Sequence, residues 1–211
     1  MKIYSFKTLP STQRWLIEKI EEKSVEIPSV VITKMQTDGI GSRNSSWIGS
    51  EGNFFASIAI LKDWLPDDLP TTATSIYFTC LIKKSLEKFG SKVWVKWPND
   101  LYIKSNKVGG IITVKKRDVM IVGIGVNTIK APTGFGVLDI DISSNELLDE
   151  FLKKIKNPPS WKQIFSNFRL EFEKSKKFYT HVEDERFNLK DAILNDDGSL
   201  MMGKRRVVSL R

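Results

Sequence analysis

The 211-residue chain holds a single cysteine, Cys80, and a single histidine, His181. That excludes a disulfide framework and any zinc or iron–sulfur centre built on clustered Cys and His. No stretch approaches eighteen apolar residues, so no membrane-spanning helix and no membrane partner is expected. The opening Met1-Lys2-Ile3 leads into a strand pattern without a charged and then apolar leader, which points to a cytoplasmic protein. Two familiar phosphate cradles are missing as well. Nowhere does Gly-Lys-Ser/Thr close a P-loop, and Gly123-x-Gly125-x-Asn127 is followed by turn-like sequence instead of the helix of a dinucleotide fingerprint.

What is present describes a folded chain. Apolar residues make up 41% of it, enough for a substantial core in one main domain with a small appendix. The net charge of +8, from 33 basic and 25 acidic residues, is scattered in ones and twos. Such scatter fits a solvated lysine-rich surface as well as a mild preference for acidic partners. Lys204-Arg205-Arg206 is too short to read a nucleic-acid groove, so no nucleic-acid partner is expected.

Residues 3–6 read as a strand, and Ser11 or Thr12 caps a helix carrying Trp15, Leu16 and Ile20 on one side. Residues 29–35 form a β-branched strand. From Gln36 to Ser46 apolar periodicity stops, in a segment that is either a surface loop or a lid ordered by ligand. A strand over 54–61, a turn over 64–70 and a helix over 71–89 follow, with Cys80 on the helix's inward side. Strands over 93–97, 101–103, 108–114 and 120–126 come next, the last two in an antiparallel meander because residues 115–118 are too few for a crossover helix. Two more helices close the body, over 146–155 and from Trp161 to about Lys177. In the second, Trp161, Phe165, Phe168 and Phe172 make a core stripe. Strand and turn patterns from Val182 onward cannot bury much surface alone and must dock on the larger body. The expected domains are 1–178 and 179–211.

The chemistry concentrates in Lys96-Trp97-Pro98-Asn99-Asp100, Lys107-x-Gly109-Gly110 and the Gly123 to Asn127 segment. Asn99 and Asp100 suit either a turn or, through the carboxylate, a Mg²⁺ ion shared with phosphate oxygens. Lys107 is a compact point charge beside two glycines that permit close approach of a ligand to backbone.

These motifs resemble those of the biotin–protein ligases, in the minimal form without an N-terminal DNA-binding domain. Leu9-Pro10-Ser11-Thr12-Gln13 is similar to the family's Ser-Thr-Asn helix opening. Gln36-Thr37-x-Gly39-x-Gly41 with Trp47 resembles its adenylate loop, and Gly52-Asn53-Phe54-Phe55-x-Ser57 the strand after it. Lys96 to Asp100 with Lys107-x-Gly109-Gly110-Ile111 is the most specific mark. Leu189-x-Asp191-Ala192 and Asp197-Gly198-Ser199-Leu200 resemble an abbreviated SH3-like domain.

The resemblance implies an α+β fold of the class II synthetase-like kind: a mixed, largely antiparallel sheet flanked by helices, with a truncated SH3-like β tail. It implies activation of biotin by ATP to biotinyl-5'-AMP, then transfer to a lysine of a biotin carboxyl carrier protein, of acetyl-CoA carboxylase or a related carboxylase. Mg²⁺ would accompany ATP, with no tightly bound prosthetic group. Biotin would meet Ser11, Thr12, Gln36, Gly39, Gly41, Lys107 and Gly109. The nucleotide would meet Arg43, Trp47, Asn99, Lys107, Gly123 and Asn127. Lys107, Arg43 and Asp100 would be catalytic, with Asp100 holding the metal.

The loop departs from the family pattern: Ile40, Ser42, Asn44 and Ser45 replace its usual Gly-Arg-rich run, which leaves Arg43 as the cation between Lys34 and Lys62 and a candidate to retain the adenylate. Alternatives are a lipoate–protein ligase, although its Arg-Arg-x-Ser-Gly-Gly-Gly loop is absent, and a catalytically weakened biotin- or adenylate-binding protein. Monomer and weak homodimer both remain open.

Overall fold

The computed structural model describes residues 1–42, 45–182 and 185–208. Its centre is a seven-stranded sheet in the order β1-β2-β5-β9-β8-β7-β6. The strands are β1 (Lys2–Phe6), β2 (Ser29–Thr33), β5 (Phe54–Leu61), β6 (Trp94–Lys96), β7 (Asp100–Ile103), β8 (Asn106–Lys116) and β9 (Val119–Val126). Only β1 and β2 run parallel, and every other pairing in this sheet is antiparallel. The expected mixed, largely antiparallel sheet with flanking helices is what forms.

Because successive side chains on a strand point to opposite faces, a sheet buried on both sides reads as an unbroken apolar run. In β2, Val30 and Ile32 join the main core, while Val31 joins a second cluster with Leu16, Ala59 and Ile121. The second cluster is covered by α1 (Thr12–Glu21), whose Ser11 side chain accepts the Arg14 N–H as an N-cap. Three helices cover the main core: α2 (Thr74–Glu87), α3 (Ser144–Lys156) and α4 (Trp161–Ser175). Capping boxes at Ser143/Glu146 and Ser160/Gln163 start α3 and α4. Trp161, Phe165, Phe168 and Phe172 are all buried, as the stripe requires. Cys80 is also buried, and that burial pushes its thiol up to about 12. Among the described residues no helix is long and apolar enough to cross a membrane.

Two findings depart from the sequence reading. The sequence shows no apolar period from Gln36 to Ser46, yet β3 (Gln36–Ile40) pairs antiparallel with β4 (Ser46–Gly49). Polar residues and glycines hid this hairpin, which has no apolar face to betray a period. The long helix expected from Thr71 begins with a 3-10 turn over Thr71–Ala73.

The tail contains a hairpin, β10 (Tyr179–Val182) with β11 (Glu185–Asn188), and a three-stranded sheet of β12 (Ile193–Leu194), β13 (Leu200–Met202) and β14 (Arg205–Val207). Leu189, Ala192, Leu200 and Val207 belong to the same buried cluster as the main helices. Two indoles fasten it further: Trp97 Nε1 donates to the Gly198 carbonyl at 2.9 Å and Trp161 Nε1 to the Asp196 carbonyl at 2.8 Å.

Candidate active site

On the α1 face of the sheet, two rows of facing residues run across the strands. One is Ser57, Gly123 and Ile112. The other is Phe55, Gly125, Gly110, Asp100 and Lys96. Three glycines in these rows leave a trough where side chains would stand. The start of α1 and the β3–β4 hairpin wall it into a cavity of about 180 Å³.

Two of these glycines make room for a particular neighbour, and at the third the nearby side chains stand at ordinary contact distance. A Cβ on Gly123 would collide with the Gln13 carboxamide, and one on Gly125 would lie 2.8 Å from the Trp47 indole. On Gly110 it would stand 3.5 Å from Asp100 Oδ1 and 3.6 Å from Lys107 Cε. The Gly-x-Gly of β9 is therefore a seat for two side chains in mid-strand, and no phosphate turn is formed there.

A β-bulge aims the lysine. Leu101 faces Gly109 but Tyr102 faces Lys107, so Val108 is the extra residue in β8. Val108 sits in the main core on the opposite face. Were the strand evenly pleated over the same residues, alternation would turn Val108 toward the cavity and Lys107 into the core. Instead Lys107 Nζ lies 2.6 Å from Asp100 Oδ1 and 5.7 Å from the centre of the Trp47 ring. The other oxygen, Asp100 Oδ2, is 3.6 Å from Lys96 Nζ.

At the opposite end, a buried relay orients the hairpin against α1. Ser57 Oγ donates to Thr12 Oγ1 at 2.9 Å, and the Thr12 hydroxyl and N–H both donate to Gln36 Oε1, at 3.1 and 2.8 Å. The Thr12 proton is thus spent inside the protein, and Gln36 is left to offer its NH₂ edge. Among the described residues four buried side-chain polar atoms lack a hydrogen-bond partner, and three of them belong to residues lining this cavity: Gln13 Oε1, Trp47 Nε1 and Asn99 Oδ1. Such atoms cost about 1–3 kcal/mol each when left unpaired, so their convergence marks a site completed by a polar ligand.

Of the residues singled out from sequence, Ser11, Thr12, Gln36, Gly41, Trp47, Asn99, Asp100, Lys107 and Gly123 line the cavity. Gly39 does not; it faces Trp47 across the hairpin, where a Cβ would stand 2.6 Å from the Trp47 carbonyl oxygen. Gly109 also lies off it, packed 2.7 Å (as a Cβ) from the Gly125 carbonyl oxygen. Asn127 is buried and lines an adjoining cavity of about 230 Å³ with Ser46, Trp47, Ile48, Pro132 and Phe135. Trp47 and Phe135, edge to face at 6.2 Å, border both cavities. Arg43 lies outside the described residues. Sequence reading missed Gln13, Gly125, Phe135 and Ser57 as site builders. The adjacency of Gln13 to Ser11-Thr12 was the available signal.

Asn99 donates to the Ile111 carbonyl at 2.5 Å and so turns its own carbonyl oxygen inward. Trp97, fully buried, packs on the other face of the sheet with its N–H donated by backbone to Ser175 Oγ. The motif from Lys96 to Asp100 thus divides: its tryptophan builds the core, while its amide and carboxylate reach the cavity. Burial and the nearby Asp100 charge raise the Tyr102 phenol, which keeps it neutral. No group of three or more His, Cys, Asp or Glu suited to a metal occurs among the described residues. Asp100 supplies one carboxylate, which fits a Mg²⁺ ion that keeps most of its ligands from phosphate and water and does not fit a protein-caged metal.

Comparison with known proteins agrees with this geometry. Residues 5–127 match the biotin/lipoate A/B protein ligase family. The biotin acetyl coenzyme A carboxylase synthetase of Helicobacter pylori, solved with bound biotinylated ATP, is 36% identical; the match covers 98% of this chain and 99% of that one, with a TM-score of 0.94. Biotin protein ligase from Aquifex aeolicus, in complex with biotin and ATP, shares the fold at a TM-score of 0.78 and 20% identity over 100% of this chain and 96% of that one. The bifunctional ligase/repressor BirA of Bacillus subtilis is 29% identical over 132 residues, which span 60% of this chain and 40% of the relative. That of Escherichia coli is 31% identical over 127 residues, 56% of this chain and 38% of the relative. With the family model matching more than half of the chain, and one member matching it end to end, the chain belongs to the biotin/lipoate A/B protein ligase family.

Proposed function

We propose that this chain joins biotin to the AMP of ATP, releasing pyrophosphate, and passes the biotinyl group to a lysine of a carrier protein of the biotin carboxyl carrier class. The observation that carries the reading is Lys107 held 2.6 Å from Asp100 at the edge of a cavity with three unpaired polar atoms in its wall. The first step brings a carboxylate to a phosphate, so its barrier is charge repulsion. A lysine ammonium placed between the two anions lowers it. Mg²⁺ arriving with the nucleotide supplies further charge neutralisation, and Asp100 is the residue that would hold it.

The polar end of the cavity suits a neutral ureido ring. The Gln36 NH₂ edge, Ser11 and the Gln13 carbonyl offer donors and an acceptor there, and each group left unpaired by a plain fatty acid or a dithiolane would cost about 1–3 kcal/mol. This polarity favours biotin over lipoate. The cavity beside Asn127 and Phe135 would take the adenine, with Trp47 between the two compartments. Arg43 is proposed to help retain the adenylate. Net positive charge would speed encounter with an acidic carrier.

The test is pyrophosphate release with biotin, ATP and Mg²⁺, with labelled lipoate as competitor. Release that needs both substrates and resists lipoate supports the reading. Release driven equally by lipoate overturns the choice of acid, and no release with either acid leaves a binding protein without ligase activity. Arg43→Ala should shorten adenylate retention; unchanged retention removes Arg43 from the site.

A further inference from the structure

Among the described residues that line the main cavity, the only charged side chains are Asp100 and Lys107, and they cancel each other. Yet the proposed ligands are anions. A further positive charge stands one strand behind. Lys96 faces Asp100 across β6 and β7, its Nζ is 3.6 Å from Asp100 Oδ2, and its side chain is 9% exposed. The Tyr102 ring lies under the same ammonium, 5.6 Å from centroid to Nζ. Lys96 itself does not line the cavity.

We infer that Lys96 is a positioning residue: by meeting the charge of Asp100 from behind, it lets Lys107 turn from Asp100 to an incoming anion and gives the row a net charge of +1. The inference rests on the adenylation reading for the identity of that anion. A row of plus, minus, plus can hand its front ammonium to a ligand without leaving the carboxylate uncompensated. With Lys96 neutralised, more of the Asp100 charge must be met by Lys107, and the row sums to zero. The exposure gradient agrees with this division of labour, from 9% at Lys96 through 16% at Asp100 to 26% at Lys107. The rear ammonium is fixed, and the front one has room to move.

The test compares binding of biotinol-5'-AMP, a non-hydrolysable adenylate carrying one negative charge, in buffer containing EDTA, so that any metal role of Asp100 drops out. Lys96→Met should weaken binding by about tenfold, and Asp100→Asn should hold or raise the affinity. The double variant Lys96→Met/Asp100→Asn should return to within about threefold of wild type, because its row again sums to +1. Uncharged biotin methyl ester should bind all four proteins within about twofold. Lys96→Met binding the adenylate like wild type overturns the inference. So does a double variant no better than Lys96→Met, or an equal loss for the neutral ester, since either marks a purely structural role. Should Lys96→Met fail to fold, Asp100→Asn decides alone, and a loss beyond tenfold overturns the inference. A wild-type protein that binds no adenylate at all refutes the adenylation reading instead.

Discussion

Replacing Gly123 with alanine tests whether the glycine in mid-β9 exists for the sake of Gln13. The added Cβ would meet the tip of the Gln13 side chain, with the Gln13 Cδ at 3.0 Å and Ile112 Cγ1 at 3.2 Å. Overpacking of a core costs about 1–3 kcal/mol, while alanine recovers about 0.5–1 kcal/mol of backbone entropy in a strand. Because the obstacle is the end of a flexible side chain, the lower part of that range applies. Net stability should change by no more than about 1 kcal/mol. Affinity should change more. Swinging the carboxamide aside removes a buried hydrogen-bonding group from the cavity, a loss of about 1–3 kcal/mol, or roughly 5- to 150-fold in Kd. Calorimetric titration with biotin and urea unfolding read the two quantities separately. In the Gln13→Ala background, adding Gly123→Ala should cost little further affinity, since the group it displaces is already gone. Wild-type biotin affinity in Gly123→Ala would refute the reasoning.

Gly125→Ala should weaken adenylate binding more than Gly123→Ala, because its Cβ meets the rigid Trp47 indole at 2.8 Å; competition binding would show the order. Lys107→Ala should slow pyrophosphate release by about 10²–10³-fold with the fold intact by circular dichroism, the usual scale for loss of a preorganised charge. Trp97→Phe removes the indole donor of the buried Gly198 carbonyl and should cost about 1–3 kcal/mol in urea unfolding, with faster amide exchange in β12 to β14. The hydrogen bond from Lys88, joined by Lys154, holds the Glu150 carboxyl at about 2, below its usual 4.5. Its ionised form therefore stabilises the fold above about pH 4.5, and that contribution fades as pH falls through 2. Glu150→Gln should be less stable than wild type at pH 6, with the difference closing toward pH 2; a constant difference across that range would contradict the assignment.

The sheet and its helices were legible because their signals are local. β5 and β9 are apolar on both faces, α4 repeats its aromatics at helical spacing, and Ser11 marks the start of α1 as a cap. The β3–β4 hairpin was not legible, since it is held by its contact with Leu9, Pro10 and α1 and not by any pattern of its own. In the site, Asp100 and Lys107 stood out by charge and by their glycine neighbours. Gln13 did not, because what gives it a role is the absence of a side chain at Gly123, more than a hundred positions away. The same distance effect hid the seat of Trp47 on Gly125. Gly39 and Gly109 drew attention as glycines beside chemistry, yet their bareness serves backbone packing. No inspection of residue types separates these two uses of glycine, since only the facing strand distinguishes them.

The single surplus residue at position 108 has a consequence for how this protein tolerates change. Apolar substitutions there would keep a plug in the core, and excising the residue would remove the bulge and restore even pleating while leaving Lys107 opposite Tyr102 on the cavity face. The surplus residue thus adds apolar volume to one side of the sheet without changing which side the neighbouring ammonium occupies, so its loss would be felt in the core before it was felt in the cavity.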